Sequence, residues 1–415
     1  MIRLLTKDDY VAASQLIASA YPGMGLDSEE KLEQFQERLR SEQETKQDLR
    51  YYGKFNVYEK LVGLYRLHDF LGNIHGEKVR QFGIGMVAVD FFHKKEKVAF
   101  DLLTHFHETA ASEGVCFTTL YPFSIPFYHK MGYGLGPTRY EFRLLPKEFP
   151  SSGDKSRVQF FEKKENKAIN ELYERFVDQT HGMISRTSNQ LDMMEKRVTH
   201  YAGVKEDDRI TAAVAYKLVP VAGSHFLDQE MVIYEWFWES SAAFRDTCAW
   251  IASQQDQVGR VVYRTQDVNF LHVVGDPRND SNILIHSVYH EVANVGAGLM
   301  YRILDIEKFV ATTQFSYGMK PSEPTSFTFN VNDSFHSPNQ GTYELTFAQG
   351  KWEISKSTDP AEFDISISDL SAWWMGTASL ARLAKYGNVT LHTQRAAELD
   401  RYFQAQEMPM CLTSF

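Results

Sequence analysis

The sequence predicts a mixed α/β (α+β) fold in three domains, residues 1–150, 151–300 and 301–415. Three observations predict it. The chain has 415 residues, which at about 150 residues per domain makes two or three units, each able to bury its own core. Apolar runs of strand length (FGIGMVAVDFF at 82–92, VCFTTLYPF at 115–123) alternate with segments of helical spacing, as in a sheet covered by helices. The pattern restarts loosely after Pro146, Pro150 and the SSGDK stretch at 151–155, and gives way to hairpin-like alternation beyond residue 305.

The elements follow in order. Residues 2–5 read as a strand and 7–20 as a helix, with Val11, Ala12, Leu16 and Ile17 at helical spacing. Tyr21-Pro22-Gly23-Met24-Gly25 breaks the chain, and Asp27 or Ser28 is the candidate cap of a charged helix over 29–50. Strands are expected at 51–58, 60–70 and 82–92, a helix at 93–112, a strand at 115–123, a short helix at 125–131 and a strand at 138–145. In the middle region 158–163 and 259–266 read as strands, 165–177 and 247–254 as helices, which suggests an internal duplication. The last region opens with a helix at 304–310. Strands follow at 326–333, 341–347 and 351–355, then a strand-to-helix segment at 363–376 and a helix at 398–403.

Composition narrows the function. Lys and Arg total 44 against 54 Asp and Glu, a net charge of -10, which argues against a general nucleic-acid binder. Cys116, Cys248 and Cys411 are too few and too scattered for a disulfide framework, and no CxxC pair suggests a metal site. The N-terminal MIRLLTKDDYV lacks the apolar core of a signal peptide. No window reaches about 18 uninterrupted apolar residues. A cytoplasmic protein with no membrane partner is therefore expected.

Chemistry concentrates between Gly83 and Gly134. A buried strand runs through a basic turn, His93-Lys94-Lys95-Glu96-Lys97, into a helix, so the lysines are expected on its first turn. Cations there oppose the helix dipole, unless an anion docks on the free amides and the lysines add charge to that pocket. The bland alternative is a solvated helix start. The second segment is Leu120 to Gly134, where Pro126 suits a helix start and Gly132 and Gly134 force a tight turn. It carries Tyr128, one tyrosine among 21. His105 and His107, two apart on a helix, cannot chelate one ion together and read as ordinary helix residues. Trp236, Trp238, Trp373 and Trp374 read as core or subunit contacts.

These residues resemble a known family. GIGMVAVDFFHKKEKVAFDLL is similar to the acyl-CoA-binding segment of the GCN5-related N-acetyltransferases, and FYHKMGYG to a turn of their enhanced intracellular survival (Eis) branch. GAGLMYRILDI at 296–306 resembles that branch's linker into its last domain, which is sterol-carrier-like. The resemblance covers the whole chain. It implies tandem acetyltransferase-fold domains, the second degenerate, then a sterol-carrier-like α/β domain. It implies transfer of an acetyl group from acetyl-CoA to a primary amine, without a metal, by a homo-oligomer (a hexamer). Val87, Ala88 and Val89 would hold the pantetheine and thioester. Lys94, Lys95, Lys97, Val98 and Ala99 would hold the pyrophosphate. Tyr128 would be the general acid, and the terminal carboxylate of Phe415 the general base.

A free α-carboxyl, with a pKa near 3.5, is a weak base toward an ammonium, and burial among apolar groups would raise it. The apolar LTSF ending favours a docked tail over a frayed one. One departure stands out. The family's first loop glycine falls on Lys97, which could add a charge or crowd the loop, while Ala99 takes the later small-residue place. Asp27, in the break between the first two helices, would suit a polyamine- or aminoglycoside-like acceptor, and equally an exposed helix cap. A protein lysine is the second acceptor. The rival from another class is a non-catalytic lipid or sterol carrier on a disabled acetyltransferase scaffold.

Overall fold

The N-terminal region is built from β1 (Ile2–Leu4), α1 (Tyr10–Ala20), α2 (Glu29–Thr45), β2 (Leu49–Phe55), β3 (Leu61–Ile74), β4 (Glu77–Val89), α3 (Val98–Ser112), β5 (Phe117–Leu120), α4 (Ile125–Lys130), β6 (Gly134–Leu135) and β7 (Thr138–Leu144). The computed structural model describes residues 1–415 apart from 198–199, 226, 280 and 406. The expected elements are present in order, with the two-residue β6 added, β3 extended to Ile74 and β4 running Glu77–Val89 instead of 82–92, and two helix boundaries move. α2 stops at Thr45 because Leu49 and Tyr51, hidden in a charged stretch, are pulled into the sheet and buried. α3 starts five residues later than expected, because Lys95 and Lys97 take φ of 66° and 59°, which a right-handed helix does not admit. The lysines therefore lie on the loop before the helix, not on its first turn.

The middle region comprises β8 (Val158–Phe161), α5 (Asn166–Gln179), α6 (Ser188–Arg197), β9 (His200–Glu206), β10 (Arg209–Pro220), β11 (Gln229–Trp238), α7 (Ser241–Ala252), β12 (Arg260–Thr265), β13 (Leu284–Ile285), β14 (Tyr289–His290), β15 (Ala293–Ala297) and β16 (Met300–Ile303). Two seven-stranded sheets result, ordered β1-β2-β3-β4-β5-β16-β6 and β15-β7-β12-β11-β10-β9-β8. In each, a helix connects two neighbouring parallel strands, α3 between β4 and β5 and α7 between β11 and β12. This is the internal duplication that the sequence hinted at.

Two strands cross the expected divisions at 150 and 300. β7 pairs with β12 and β15 in the second sheet, and β16 pairs with β5 and β6 in the first. The connectors touch where they cross. Gly136 donates its N–H to the Leu299 carbonyl at 2.8 Å, and a Cβ on Gly136 would lie 2.6 Å from that oxygen. The divisions between the sheets are thus not those expected from the linker.

The last region holds α8 (Ile306–Thr313), β17 (Thr325–Asn332), β18 (Gly341–Ala348), β19 (Lys351–Lys356), β20 (Phe363–Ser366), α9 (Ile367–Trp374), α10 (Leu380–Lys385), β21 (Thr390–Leu391) and α11 (Ala396–Phe403). β18 and β19 form the expected hairpin within a sheet ordered β19-β18-β17-β20-β21. Its interior is filled by Trp352, Trp373, Trp374, Phe327, Phe329 and Phe403. Trp236 is likewise core, in the second sheet. A fully buried ion pair, Arg302 with Asp333 at 2.6 Å, ties this region to β16, and Arg302 also donates to the Met131 carbonyl just after α4.

All three regions meet at two buried histidines. His181 Nδ1 accepts the His75 backbone N–H at 3.0 Å, and the rings lie 4.5 Å apart. His75 Nε2 donates to the Trp374 carbonyl at 2.5 Å and His181 Nε2 to the Met375 carbonyl at 3.2 Å. Among the described residues no helix is long and apolar enough to cross a membrane.

Candidate active site

The site starts from a fault in the β3–β4 ladder. Leu64 pairs with Ala88 but Arg66 pairs with Gly85, so Met86 and Val87 face the single residue Tyr65, and Met86 takes φ 51°. Such a bulge leaves its extra residue without a ladder partner. β4 pairs with β5 only between Phe82 and Ile84. Beyond that point the pairing ends, and a cavity of about 580 Å³ lies between the end of β4 and the residues Phe123, Phe127 and Met131 that follow β5. Val87 and Val89 line it on one side and Lys94, Lys95, Lys97, Val98 and Ala99 on another. Ala88, the remaining expected contact, points to the opposite face and is buried among Leu5, Tyr10 and Ile17. Its side chain belongs to the core rather than the cleft, as the alternation of a strand requires.

The mouth of this cavity suits a phosphate group. Lys97 is the N-cap of α3 and provides no side-chain cap, so the first amides of the helix lack an intrahelical partner. Three exposed lysines surround them. The equivalent α7 differs: Ser240 Oγ accepts the Ala243 N–H at 3.1 Å and closes that helix end with the chain's own oxygen. One duplicate therefore leaves its helix end open and the other closes it.

Tyr128 stands on α4, whose start is set by Pro126. Its ring packs edge-on against Phe123 and Phe127 at 5.2 and 5.1 Å. Burial pushes its phenol well above the ordinary tyrosine range, and it stays protonated. The hydroxyl has no hydrogen-bond partner among the described residues, and Tyr128 borders a second cavity of about 350 Å³. The two cavities share Tyr21, Val87 and Phe123. Tyr21 donates its hydroxyl to the Val87 carbonyl at 2.7 Å, which braces the bulge.

Phe415 borders the same second cavity. The tail is anchored at several points. Met410 N–H donates to the His181 carbonyl at 2.8 Å, and Cys411 N–H to Gln266 Oε1 at 2.5 Å. Tyr121 donates its hydroxyl to the Thr413 carbonyl at 2.8 Å. The Phe415 ring packs against Phe70 at 4.8 Å and against His68 and Tyr121 at 5.2 Å each. The expected docked tail is what the structure has, and it brings Phe415 and Tyr128 to one cavity.

Asp27 is not brought there. It lines neither cavity, and its exposed carboxylate pairs with Lys31 at 2.7 Å, which holds its pKa below the ordinary range. Of its two readings, the exposed helix start fits; the capping atom itself is Ser28 Oγ, accepting from Lys31 N–H. The neighbouring polar cleft, about 820 Å³ and joined to the second cavity at Met24, carries Lys31, Arg38 and Lys46 beside Glu37, Glu42 and Asp192. His105 accepts or donates a 2.8 Å bond with Tyr65, and His107 one of 2.9 Å with Tyr133, as ordinary helix residues do. No cluster of metal-binding side chains occurs among the described residues.

Sequence reasoning missed Tyr21, Arg66, His68, Phe70 and Tyr121. A signal existed for three of them: Arg66-x-His68-x-Phe70 has the spacing of one strand face, and Gly83-x-Gly85 the same spacing on its partner strand.

Residues 1–136 match the acetyltransferase (GNAT) domain and residues 306–412 the sterol carrier protein domain. An uncharacterized N-acetyltransferase of Streptomyces avermitilis is 22% identical over 363 residues, 82% of each chain. A GCN5-related N-acetyltransferase of Anabaena variabilis shares the fold over 100% of both chains, at 16% identity and a TM-score of 0.82. Eis1 from Mycobacterium abscessus does so over 100% of both chains, at 17% identity and a TM-score of 0.78.

Proposed function

We propose, from the match of residues 1–136 to the acetyltransferase (GNAT) domain and of 306–412 to the sterol carrier protein domain, that this acetyltransferase acetylates a primary amine by direct transfer from acetyl-CoA, with Tyr128 as general acid and the Phe415 carboxylate as general base. The single observation that carries this reading is that both residues border one cavity, which adjoins the lysine-rimmed one at the Met86–Val87 bulge.

The residues fit the co-substrate. Val87 and Val89 would hold its pantetheine arm, and the open end of α3 with Lys94, Lys95 and Lys97 its pyrophosphate. Acetyl-CoA supplies an acetyl group activated as a thioester. The Phe415 carboxylate takes a proton from the incoming ammonium, and a backbone amide freed by the bulge donates to the carbonyl oxygen. The Tyr128 hydroxyl hands its proton to the departing sulfur. Burial keeps the Tyr128 phenol protonated and able to donate, and a sulfur departing into the same buried surroundings would be made more basic by them.

For the acceptor we propose a small molecule with several primary amines, polyamine- or aminoglycoside-like, or a protein lysine. The adjoining cleft sets Glu37, Glu42 and Asp192 against Lys31, Arg38 and Lys46, with Glu42 paired to Arg38 and Asp192 to Lys46, so the support for a cationic acceptor is the chain's net charge of -10. A cytoplasmic hexamer is part of the same reading. The lipid-carrier alternative meets a terminal domain whose interior is filled by tryptophan.

The test is release of free thiol from acetyl-CoA with a panel of amines. Tyr128→Phe is expected to lower kcat by about a hundredfold with acetyl-CoA binding unchanged, and one residue added after Phe415 should do the same. Full turnover by both variants overturns the assignment; no acetyl-CoA binding together with co-purified lipid supports the carrier.

A further inference from the structure

The reading that Phe415 is the base, on which this inference rests, leaves open what aims its carboxylate. Directly opposed residues of an antiparallel pair project to the same face. Arg66 is opposite Gly85 and His68 is opposite Gly83, and Phe70 follows at the same spacing. This face of β3 thus reads cation, imidazole, benzene ring. Across from it β4 presents two missing side chains.

The tail fills that gap with matching chemistry. A Cβ on Gly83 would lie 2.8 Å from the Phe415 ring, and one on Gly85 would lie 3.5 Å from the Phe415 carboxyl carbon. The ring therefore lies by Gly83, against His68 and Phe70, and the carboxyl by Gly85, the residue opposite Arg66. Arg66 and Phe415 border the same cavity.

Arg66 has donors to spare. It is 7% exposed, its Nε donates to His68 Nε2 at 2.8 Å, and its Nη1 makes no hydrogen bond among the described residues. Its side-chain carboxylate partner, Glu42, is 3.9 Å away and already accepts from Arg38 at 2.8 Å and from the Tyr51 hydroxyl. A buried guanidinium so thinly paired is costly unless another anion faces it. His68, as an acceptor from Arg66, is neutral and cannot be that partner's rival.

We propose that Arg66 is the positioning residue for the terminal carboxylate, and that the face running Arg66–His68–Phe70 over Gly83 and Gly85 is a receptor for a phenylalanine acid, able to take one in trans when the tail lacks it.

The test uses the full chain with Phe415 deleted and N-acetyl-L-phenylalanine as probe; it has no free amine and is not an acceptor. The deletion is expected to lower kcat by about a hundredfold. Millimolar probe should restore activity about tenfold or more, and its primary amide should restore none. Adding Arg66→Met to the deletion should abolish the rescue, and Arg66→Lys should keep part of it. In the undeleted chain Arg66→Met should lower kcat while KM for acetyl-CoA stays constant, with the thermal midpoint measured alongside to show that the variant is folded. Rescue that is equal for acid and amide, rescue that survives Arg66→Met, or no rescue at all overturns the receptor. Should a folded, undeleted Arg66→Met variant keep full kcat, the positioning role fails too. Unchanged kcat on deleting Phe415 instead overturns the base assignment itself, so the two failures are told apart.

Discussion

Lys97 stands where a glycine would be relaxed. Its φ of 59° costs a side-chain-bearing residue about 1 kcal/mol or more, and nothing in its surroundings repays that: it is exposed and caps α3 without a side-chain bond. Under the proposed function, the charge it would bring to a phosphate at that helix end is the compensating term. Lys97→Gly is therefore expected to raise the stability of the ligand-free protein by about 1 kcal/mol and to weaken acetyl-CoA binding about fivefold or less, the worth of one exposed charge. Urea unfolding and a binding titration read the two effects separately. A glycine variant that binds acetyl-CoA more tightly would show that the lysine crowds the loop. Two other expected residues lie outside the lining of the two cavities. Ala88 is part of the right strand segment but alternation turns it to the core, and Asp27 is near the site in sequence while its carboxylate pairs outward with Lys31.

The contrast between α3 and α7 is one of helix ends. Both connect parallel neighbours in equivalent sheets, yet Ser240 satisfies the start of α7 and no side chain satisfies the start of α3. Ser240→Ala should cost about 1 kcal/mol, read as a lower thermal midpoint, with kcat and acetyl-CoA affinity unchanged. A loss of affinity would mean that the second duplicate still holds ligand. The basic turn was legible in the sequence, though expected on the helix rather than before it, whereas the serine cap was not: α7 reads as a helix only over 247–254, past its start at Ser241. The long apolar strands and the Tyr128 turn were legible too, since short-range spacing encodes them. The exchange of β7 and β16 between sheets was not. Thr138–Leu144 alternates as well for one sheet as for the other, and its partner is fixed only by the crossing of Gly136 and Leu299, far apart in sequence. The seat of Phe415 was hidden likewise. Its strand pattern is visible, but what fills the gap over Gly83 and Gly85 comes from the far end of the chain.

At the scale of the whole molecule, the three regions are joined through groups that titrate. Burial pushes His75 down to about 4 from an ordinary 6.5, and His181 well below that ordinary value. In the fold both rings are neutral: His181 Nδ1 is occupied as the acceptor of the His75 N–H, and a proton placed there would face another donor. The unfolded chain binds protons at these residues near pH 6.5, while the folded chain resists them. Stability supplied by His75 is therefore whole above about pH 6.5, and is lost as pH falls from there through about 4. The gap corresponds to roughly 3 kcal/mol. His181 also offers its carbonyl to Met410, the first anchor of the tail, so a joint loosened by acid loosens the seat of Phe415 with it. Wild type should lose urea stability steeply between about pH 7 and pH 4, and lose kcat over the same interval. His75→Gln, which keeps a donor toward the Trp374 carbonyl but binds no proton, should start less stable and lose roughly 3 kcal/mol less over that interval. Parallel pH profiles for the two proteins would assign the acid sensitivity to the paired carboxylates and remove the histidine joint from the account.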